Sequence, residues 1–256
     1  MLLAFSTLPC MDSSSKELKD ICDKFGFSAA EVRVNEDNTF VCGNELNVSN
    51  LGSSICIKKY DKQQIECAVN LFKKAEAAGI GAVRIFLGNF CRTYDAPKEP
   101  VVHSEIIQAL REICDNTGIE VWIETHNEYA TGRSLKKLLD DVGRDNIKII
   151  WDIIHPIEDG EAPEDTISYL GGRIAHIHIK DGRKSEDKNQ HDYIYTRLGE
   201  GELPIRKIVT LLTENGYDGY YSLEWESLWR DELKAIRITN EELFTEYVEL
   251  MKSIIS

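Results

Sequence analysis

The chain has 256 residues, of which 42% are hydrophobic, and a formal net charge of −14 at pH 7. This length fits one large domain with a sizeable core, and α/β barrels often have this size. The negative charge disfavours a nucleic-acid partner, because binding to the phosphate backbone draws mainly on clustered Lys and Arg. A local basic pocket remains compatible with a small anion.

The first residues, MLLAFSTLP, predict a β-strand. Their apolar run is far too short to cross a bilayer and no basic region precedes it, so we expect neither a signal peptide nor a membrane partner. The seven cysteines include no CxxC pair, and an odd number does not suit a disulfide framework. We therefore expect a cytoplasmic protein whose reduced thiols are mostly buried.

Strand and helix signals alternate along the whole chain. The predicted strands are residues 2–7, 29–34, 47–51, 81–87, 121–125, 147–152, 174–181 and 219–226. The predicted helices, several of which begin at Ser, Thr or Asp and end at Gly, are residues 14–26, 61–79, 104–118, 134–143, 162–171, 204–216 and 239–255. Only the connection between the second and third strands has weak helical character.

Eight such β/α units predict a (β/α)8 TIM barrel that forms a single domain over residues 1–256. No internal repeat, low-complexity tract or Pro/Gly-rich linker divides the chain. Enzymes with this fold carry their chemistry at the C-terminal ends of the strands. We therefore expect the functional residues at those ends.

The last four predicted strands each carry, at or near the C-terminal end, a residue type that binds divalent metals. These residues are Glu124, Asp152, His178 and Glu224. A single carboxylate at a strand end is more often only solvated. Four metal-binding residue types in series instead predict one convergent metal site, because a buried strand accommodates a carboxylate only when the charge is matched.

Further polar residues lie beside these four. His126 shares a strand face with the first of them, and Lys180 shares one with the third, since residues two apart on a strand point to the same side. His155 follows Asp152 by three positions in a predicted loop. His126 and His155 are equally compatible with substrate contact and with a surface loop. An inward Lys180, in contrast, needs an anionic or hydroxyl partner.

The remaining histidines have ordinary explanations. His176 lies deeper in its strand and is expected to fill a polar layer of the barrel interior. His103, at a helix start, and His191, in a polar stretch, are expected to be solvated.

Five segments, WIETHNEY, WDIIHP, HIHIKD, LGEGELP and YYSLEWE, together resemble the xylose isomerase-like barrel superfamily, specifically the sugar phosphate isomerase/epimerase group. The similarity extends from STLPCMDSSSKELKDICDKFGFSAAEVRV to the eighth strand and rests on order and spacing. The resemblance implies one divalent cation, namely manganese, zinc, cobalt or magnesium, held by the four strand-end residues. It also implies that Glu124 and Glu224 exchange protons with the substrate on opposite faces.

The resemblance further implies that His155 and a basic residue after the metal-binding histidine contact sugar oxygens. Lys180 and Lys184 are both candidates for that basic residue. Arg84 is a candidate substrate contact, with a structural ion pair to Glu31 as the equal alternative.

Two tryptophans, Trp225 and Trp229, follow the last strand. We expect them to cover the mouth of the site or to form a subunit contact, the usual roles of large exposed aromatic side chains. The expectation of a homo-oligomer rests on the family likeness alone.

The expected function is a metal-dependent isomerase or epimerase of carbohydrate metabolism that acts on a sugar, keto sugar or sugar phosphate through an enediolate. The alternative is a lyase that dehydrates a cyclic keto acid, as a dehydroshikimate dehydratase does, or an inosose. Such dehydratases share the four ligands, and their further pattern matches His126 and Lys180. A nuclease resembling endonuclease IV is disfavoured, because the chain lacks the additional His ligands expected after strands two to four.

Overall fold

The computed structural model describes residues 1–89, 101–187 and 193–255. Eight parallel strands close into a barrel, which confirms the predicted fold class. They are β1 (Leu2–Ser6), β2 (Ala29–Arg33), β3 (Val48–Ile57), β4 (Ala82–Leu87), β5 (Glu120–Glu124), β6 (Ile147–Asp152), β7 (Ile174–Ile179) and β10 (Tyr220–Leu223). The first and last strands pair with each other, so the barrel leaves no open edge. Strands β8 (Asp181–Lys184) and β9 (Tyr193–Thr196) form a separate antiparallel pair.

Helices surround the barrel. They are α1 (Ser15–Phe25), α2 (Lys62–Ala77), α3 (His103–Asp115), α4 (Gly132–Val142), α5 (Ile154–Glu158), α6 (Pro163–Leu170), α7 (Ile205–Glu214), α8 (Asp231–Ala235) and α9 (Asn240–Ile255). Residues 34–47, between β2 and β3, form no helix, in agreement with their weak helical pattern. The short helices α5 and α8 were not predicted, because a helix of one turn leaves little periodicity in the sequence.

Local signals explain where the helices begin and end. Helix α1 starts at a capping box, in which the Ser14 hydroxyl accepts the Glu17 N–H and the Glu17 carboxylate accepts the Ser14 N–H. It ends at Gly26, whose φ of 78° is a left-handed conformation that glycine adopts without steric cost.

The apolar core lies between the barrel and its helices. The Phe5 ring of β1 lies 5.0 Å from the Phe244 ring of α9. The buried Tyr247 hydroxyl, also on α9, donates to the Tyr221 carbonyl at 2.7 Å. The last helix therefore seals the seam where the first and last strands meet.

The segment after β7 is organised by one buried carboxylate. Asp181 accepts the backbone N–H groups of Gly182, Gly199, Gly201 and Leu203 at 2.9 to 3.2 Å. These bonds fold the LGEGELP segment against the end of β7, directly beside the predicted site.

The described cysteines form no disulfide. Cys22, Cys56 and Cys114 are buried, but Cys42 and Cys67 are exposed, so the expected burial holds for only some of the described thiols. Among the described helices, none has the length and apolar character that a bilayer span requires.

Candidate metal centre and active site

The four predicted metal ligands converge at the C-terminal ends of neighbouring strands. Glu124 and Asp152 end β5 and β6, His178 lies near the end of β7, and Glu224 follows β10 directly. All four side chains are buried, and each offers a ligand atom within 4.8 Å of the others. Parallel strands in register bring these ends together, since Asp152 is paired with His178 and Ser222 is paired with His178 on the other side.

The imidazole of His178 lies between two carboxylates. Its Nε2 lies 2.8 Å from Glu31 Oε2, and its Nδ1 lies 3.1 Å from Glu224 Oε2. The buried Nδ1 has no hydrogen-bond partner among the described residues. A metal-binding histidine characteristically gives its other ring N–H to a carboxylate, which leaves the remaining nitrogen free for the cation. The donor set of three carboxylates and this nitrogen therefore fits one divalent cation.

Sequence reasoning considered Glu31 only as a partner of Arg84 and missed its contacts with two histidines of the candidate site. Glu31 lies on β2, is 1% exposed, and its Oε2 also lies 3.2 Å from His176 Nε2. His176 is buried as expected for a polar layer of the interior, although Glu31, His176 and His178 also form a group with metal-ligand geometry. The one available signal was a lone carboxylate in the otherwise buried strand AAEVR.

We expect the substitution Glu31→Gln to lower metal affinity about 10–100-fold without unfolding the protein, because it removes the charge that orients His178. Calorimetric titration of the variant and of the wild type with manganese or zinc measures the change in metal affinity. Glu249→Gln, at an exposed position on α9, is the matched control. Unchanged metal affinity in the Glu31 variant would contradict the orienting role.

Arg84 forms an ion pair with Glu124 across β4 and β5. Its Nη1 also lies 3.8 Å from Glu224 Oε1, and its Nη2 donates to the Ser53 carbonyl at 3.0 Å. The predicted alternative, an ion pair between Arg84 and Glu31, was wrong. Glu124 lies on β5, which pairs directly with β4, whereas β3 lies between β4 and the strand that carries Glu31.

Of the two candidate lysines, Lys180 lies at the centre. Its Nζ is 2.6 Å from Asp152 Oδ2 and 2.5 Å from Glu224 Oε2, and it also pairs with Glu226. Lys180 thus has the anionic partners that its burial requires. Lys184 is exposed on β8 and does not line the pocket, because β8 leaves the barrel to pair with β9.

A pocket of about 300 Å³ opens beside the carboxylates. Its lining comprises Ser6, Leu8, Arg33, Ser54, Arg84, Phe86, Glu124, His126, His155, Glu224, Glu226, Trp229 and Arg230. The rings of His126 and His155 meet edge to face, with centroids 4.4 Å apart. Both predicted histidines therefore lie where a substrate could reach them.

His155 lies on helix α5 instead of a loop. Its Nε2 is 3.2 Å from Asp152 Oδ2 and its Nδ1 is 2.9 Å from Glu158 Oε2. Burial opposes its protonation, but the two carboxylates prevail and raise the pKa of His155 to about 9.

The two tryptophans differ from each other. Trp225 is 6% exposed and packs in the apolar core, so the expectation that it is exposed at the site was wrong. Because neighbouring residues of an extended chain point to opposite sides, an inward Glu224 turns Trp225 towards the helices. Trp229 is 55% exposed and lines the pocket.

Two further histidines lie away from this centre. His103 has a side chain that is 37% exposed, in agreement with the expected solvation, and its ring nitrogens lie 3.1 Å from the Tyr129 hydroxyl and 3.1 Å from Asp141 Oδ2. The segment after β5 supplies Tyr129, and helix α4 supplies Asp141. The prediction for His191 lies outside the described residues.

A family model described as "Xylose isomerase-like TIM barrel" matches residues 6–253. The inosose dehydratase of Lacticaseibacillus casei is 27% identical over 116 residues, which are 40% of this chain and 39% of the relative. The fructoselysine 3-epimerase of Escherichia coli O157:H7 is 24% identical over 140 residues, 52% of this chain and 49% of the relative. These matches thus span less than half of the curated relatives' own length.

Solved structures share the fold. D-Psicose 3-epimerase from Clostridium cellulolyticum H10, in a structure with D-tagatose, has a TM-score of 0.76 at 15% identity, with 100% of this chain and 98% of that chain covered. The IolI protein, in a structure with a zinc atom, has a TM-score of 0.75 at 18% identity, with 100% and 98% covered. At such identities the likeness establishes the fold alone.

Proposed function

Because the chain belongs to the xylose isomerase-like TIM barrel family, we propose that it is a divalent-metal-dependent isomerase or epimerase of a keto sugar or sugar phosphate, acting through an enediolate. The observation that carries this proposal is that Glu124 and Glu224 share one ligand cluster and both line the same pocket. Relatives of this chain include epimerases and dehydratases, and their presence supports a reaction that transfers a proton beside a carbonyl.

The two glutamates have different electrostatic surroundings. Burial raises the pKa of Glu124, although Arg84 opposes the shift. For Glu224, His178 and Lys180 prevail over burial and hold the pKa well below its usual range. Carboxyl groups with separated pKa values are typical of a proton donor and a proton acceptor that work as a pair. We propose that one takes the proton next to the carbonyl and the other returns it.

Glu124, Asp152, His178 and Glu224 are the residues that would hold the cation. When bound, a divalent cation stabilises the negative charge that develops on the substrate oxygens. Carboxylate-rich donor sets suit hard or borderline cations, so manganese, cobalt, zinc and magnesium are the metals to test. Arg84 holds Glu124 in position through their ion pair.

We expect the metal-loaded protein to exchange substrate hydrogen with solvent. Ketohexoses, ketopentoses, their phosphates and inososes are incubated in deuterated water, and proton NMR detects deuterium at the carbon next to the carbonyl. Exchange is detectable even where net conversion is slight. If the protein binds members of this panel but gives neither exchange nor elimination, the proposal is refuted.

The alternative activity is a dehydratase. His126 and His155 meet at the pocket wall, where a histidine can protonate a departing hydroxyl group. In the same NMR experiment a dehydratase gives a new unsaturated signal and irreversible loss of the substrate, which separates the two activities.

A further inference from the structure

Arg33, at the end of β2, is a cation on the pocket wall that forms no ion pair with the described carboxylates. Its Nη1 donates to the carbonyls of Gly52 at 3.0 Å and Ser53 at 3.3 Å, and its Nη2 donates to the Ser54 hydroxyl. All three acceptors are neutral, and no carboxylate in the described part of the chain forms an ion pair with Arg33. Burial and the neighbouring Arg84 lower the pKa of Arg33 to about 10, against the opposing effect of Glu224, Glu31 and Glu124, none of which is in ion-pair contact with it. Arg33 therefore stays charged at neutral pH.

Two other cations of the site already have carboxylate partners. Arg84 pairs with Glu124, and Lys180 pairs with Asp152, Glu224 and Glu226. A half-buried guanidinium held only by neutral oxygens is therefore distinctive here, because a charge removed from water is stabilised chiefly by an opposite charge.

Arg230 lies on the same pocket wall and also has an unused donor. Its side chain is 11% exposed, and its nearest acid, Glu226, is 3.7 Å away. The Arg230 Nη1 is buried and has no hydrogen-bond partner among the described residues. Its guanidinium lies 3.9 Å from the centre of the Tyr195 ring, which holds the group in place.

The pocket continues outwards beyond these arginines. A groove of about 890 Å³ shares Arg33, Ser54 and Trp229 with the pocket wall. The Trp229 ring lies 5.4 Å from the Arg33 guanidinium carbon. The junction thus has room for a substituent that extends away from the metal ligands.

We propose that Arg33, assisted by Arg230, binds an anionic oxygen group of the substrate, a phosphate ester or a carboxylate, at the junction of the pocket and the groove. The guanidinium group presents its N–H donors in a planar fork that matches two oxygens of either anion. The overall negative charge of the chain is compatible with binding of such a small anion, whereas it disfavours binding of a polyanion. This inference rests on the proposed function for the rest of the substrate.

The first test measures binding of inorganic phosphate and of acetate to the metal-loaded protein by calorimetry. We expect Arg33→Gln to weaken binding of the preferred anion about tenfold or more, and Arg230→Gln to weaken it less. Arg33→Lys, which keeps the charge but lacks the fork, should lie between wild type and Arg33→Gln. The control is Arg237→Gln, at an exposed position outside the pocket. The tighter of the two anions identifies the group that the substrate carries.

The second test compares hydrogen exchange in D-fructose 6-phosphate with that in D-fructose. We expect Arg33→Gln to lower the ratio of the two rates, phosphate ester over free sugar, about tenfold. Near-UV circular dichroism tests whether the variants are folded. If Arg33→Gln does not fold, Arg230→Gln takes its place in the comparison. If wild type, Arg33→Gln and Arg230→Gln are folded and bind the anions equally well, the proposed subsite is overturned, even if D-fructose exchanges hydrogen with solvent. If no sugar shows exchange but phosphate binding still depends on Arg33, only the proposed function is refuted.

Discussion

The substitution Glu224→Gln is expected to remove metal retention and to slow solvent exchange into substrate by about 10²–10⁴-fold. Glu224 belongs to the ligand cluster, lies 3.1 Å from His178 Nδ1 and accepts from Lys180. Glutamine keeps the shape of the side chain but has neither the ligand charge nor the ability to carry the proton. One substitution therefore removes both functions proposed for this residue.

Metal content after purification without chelator, and the exchange rate with excess manganese, measure the two functions separately. Glu249→Gln should behave like wild type, because this exposed residue lies on α9 away from the site. Retained metal with lost exchange would leave only the proton-transfer role. Full exchange would show that Glu224 is neither a required ligand nor a proton carrier.

The barrel and the convergence of the four strand-end residues could be predicted because both depend on local patterns. Alternation of apolar strands with capped helices indicates the eight units, and parallel strands necessarily bring their C-terminal ends to one face. A Glu, Asp or His at such an end therefore projects to the same place as the others. Glu124, Asp152 and His178 needed only the correct strand boundaries, which the apolar runs supply.

The contacts between distant strands could not be predicted in the same way. Glu31 bonds His176 across 145 residues of sequence, and no local pattern encodes that distance. Arg84 had two inward-facing carboxylates as candidate partners, and the one on the adjacent strand of the closed barrel forms the ion pair. Such choices depend on the register around the whole barrel.

Side-chain direction after a strand was also difficult to predict. Trp225 was expected at the mouth of the site, and Lys184 was one of two candidate contacts to sugar oxygens. Trp225 instead points into the core, and Lys184 leaves the barrel with β8. Alternation from an inward Glu224 accounts for Trp225 once the inward face is known. The departure of Lys184 follows from the pairing of β8 with β9, which short polar strands do not reveal in sequence.

Removal of Lys180 is expected to have opposite effects on stability and on metal binding. Its ammonium group is buried against Asp152, Glu224 and Glu226. Lys180→Met leaves these carboxylates without that cation, so the metal-free protein should lose about 3–5 kcal/mol in the free energy of unfolding. A divalent cation bound by Asp152 and Glu224 would no longer be repelled by the ammonium, so metal affinity should rise.

Urea unfolding with and without saturating manganese, together with metal titration, tests both effects. The difference in stability between Lys180→Met and wild type should shrink when metal is bound, since the cation replaces the missing positive charge beside the same carboxylates. Lys184→Met is the matched control, because that lysine is exposed and contacts none of the ligands. An equal loss of stability in both metal states would show that Lys180 and the metal do not share these carboxylates, and it would place the cation elsewhere in the barrel.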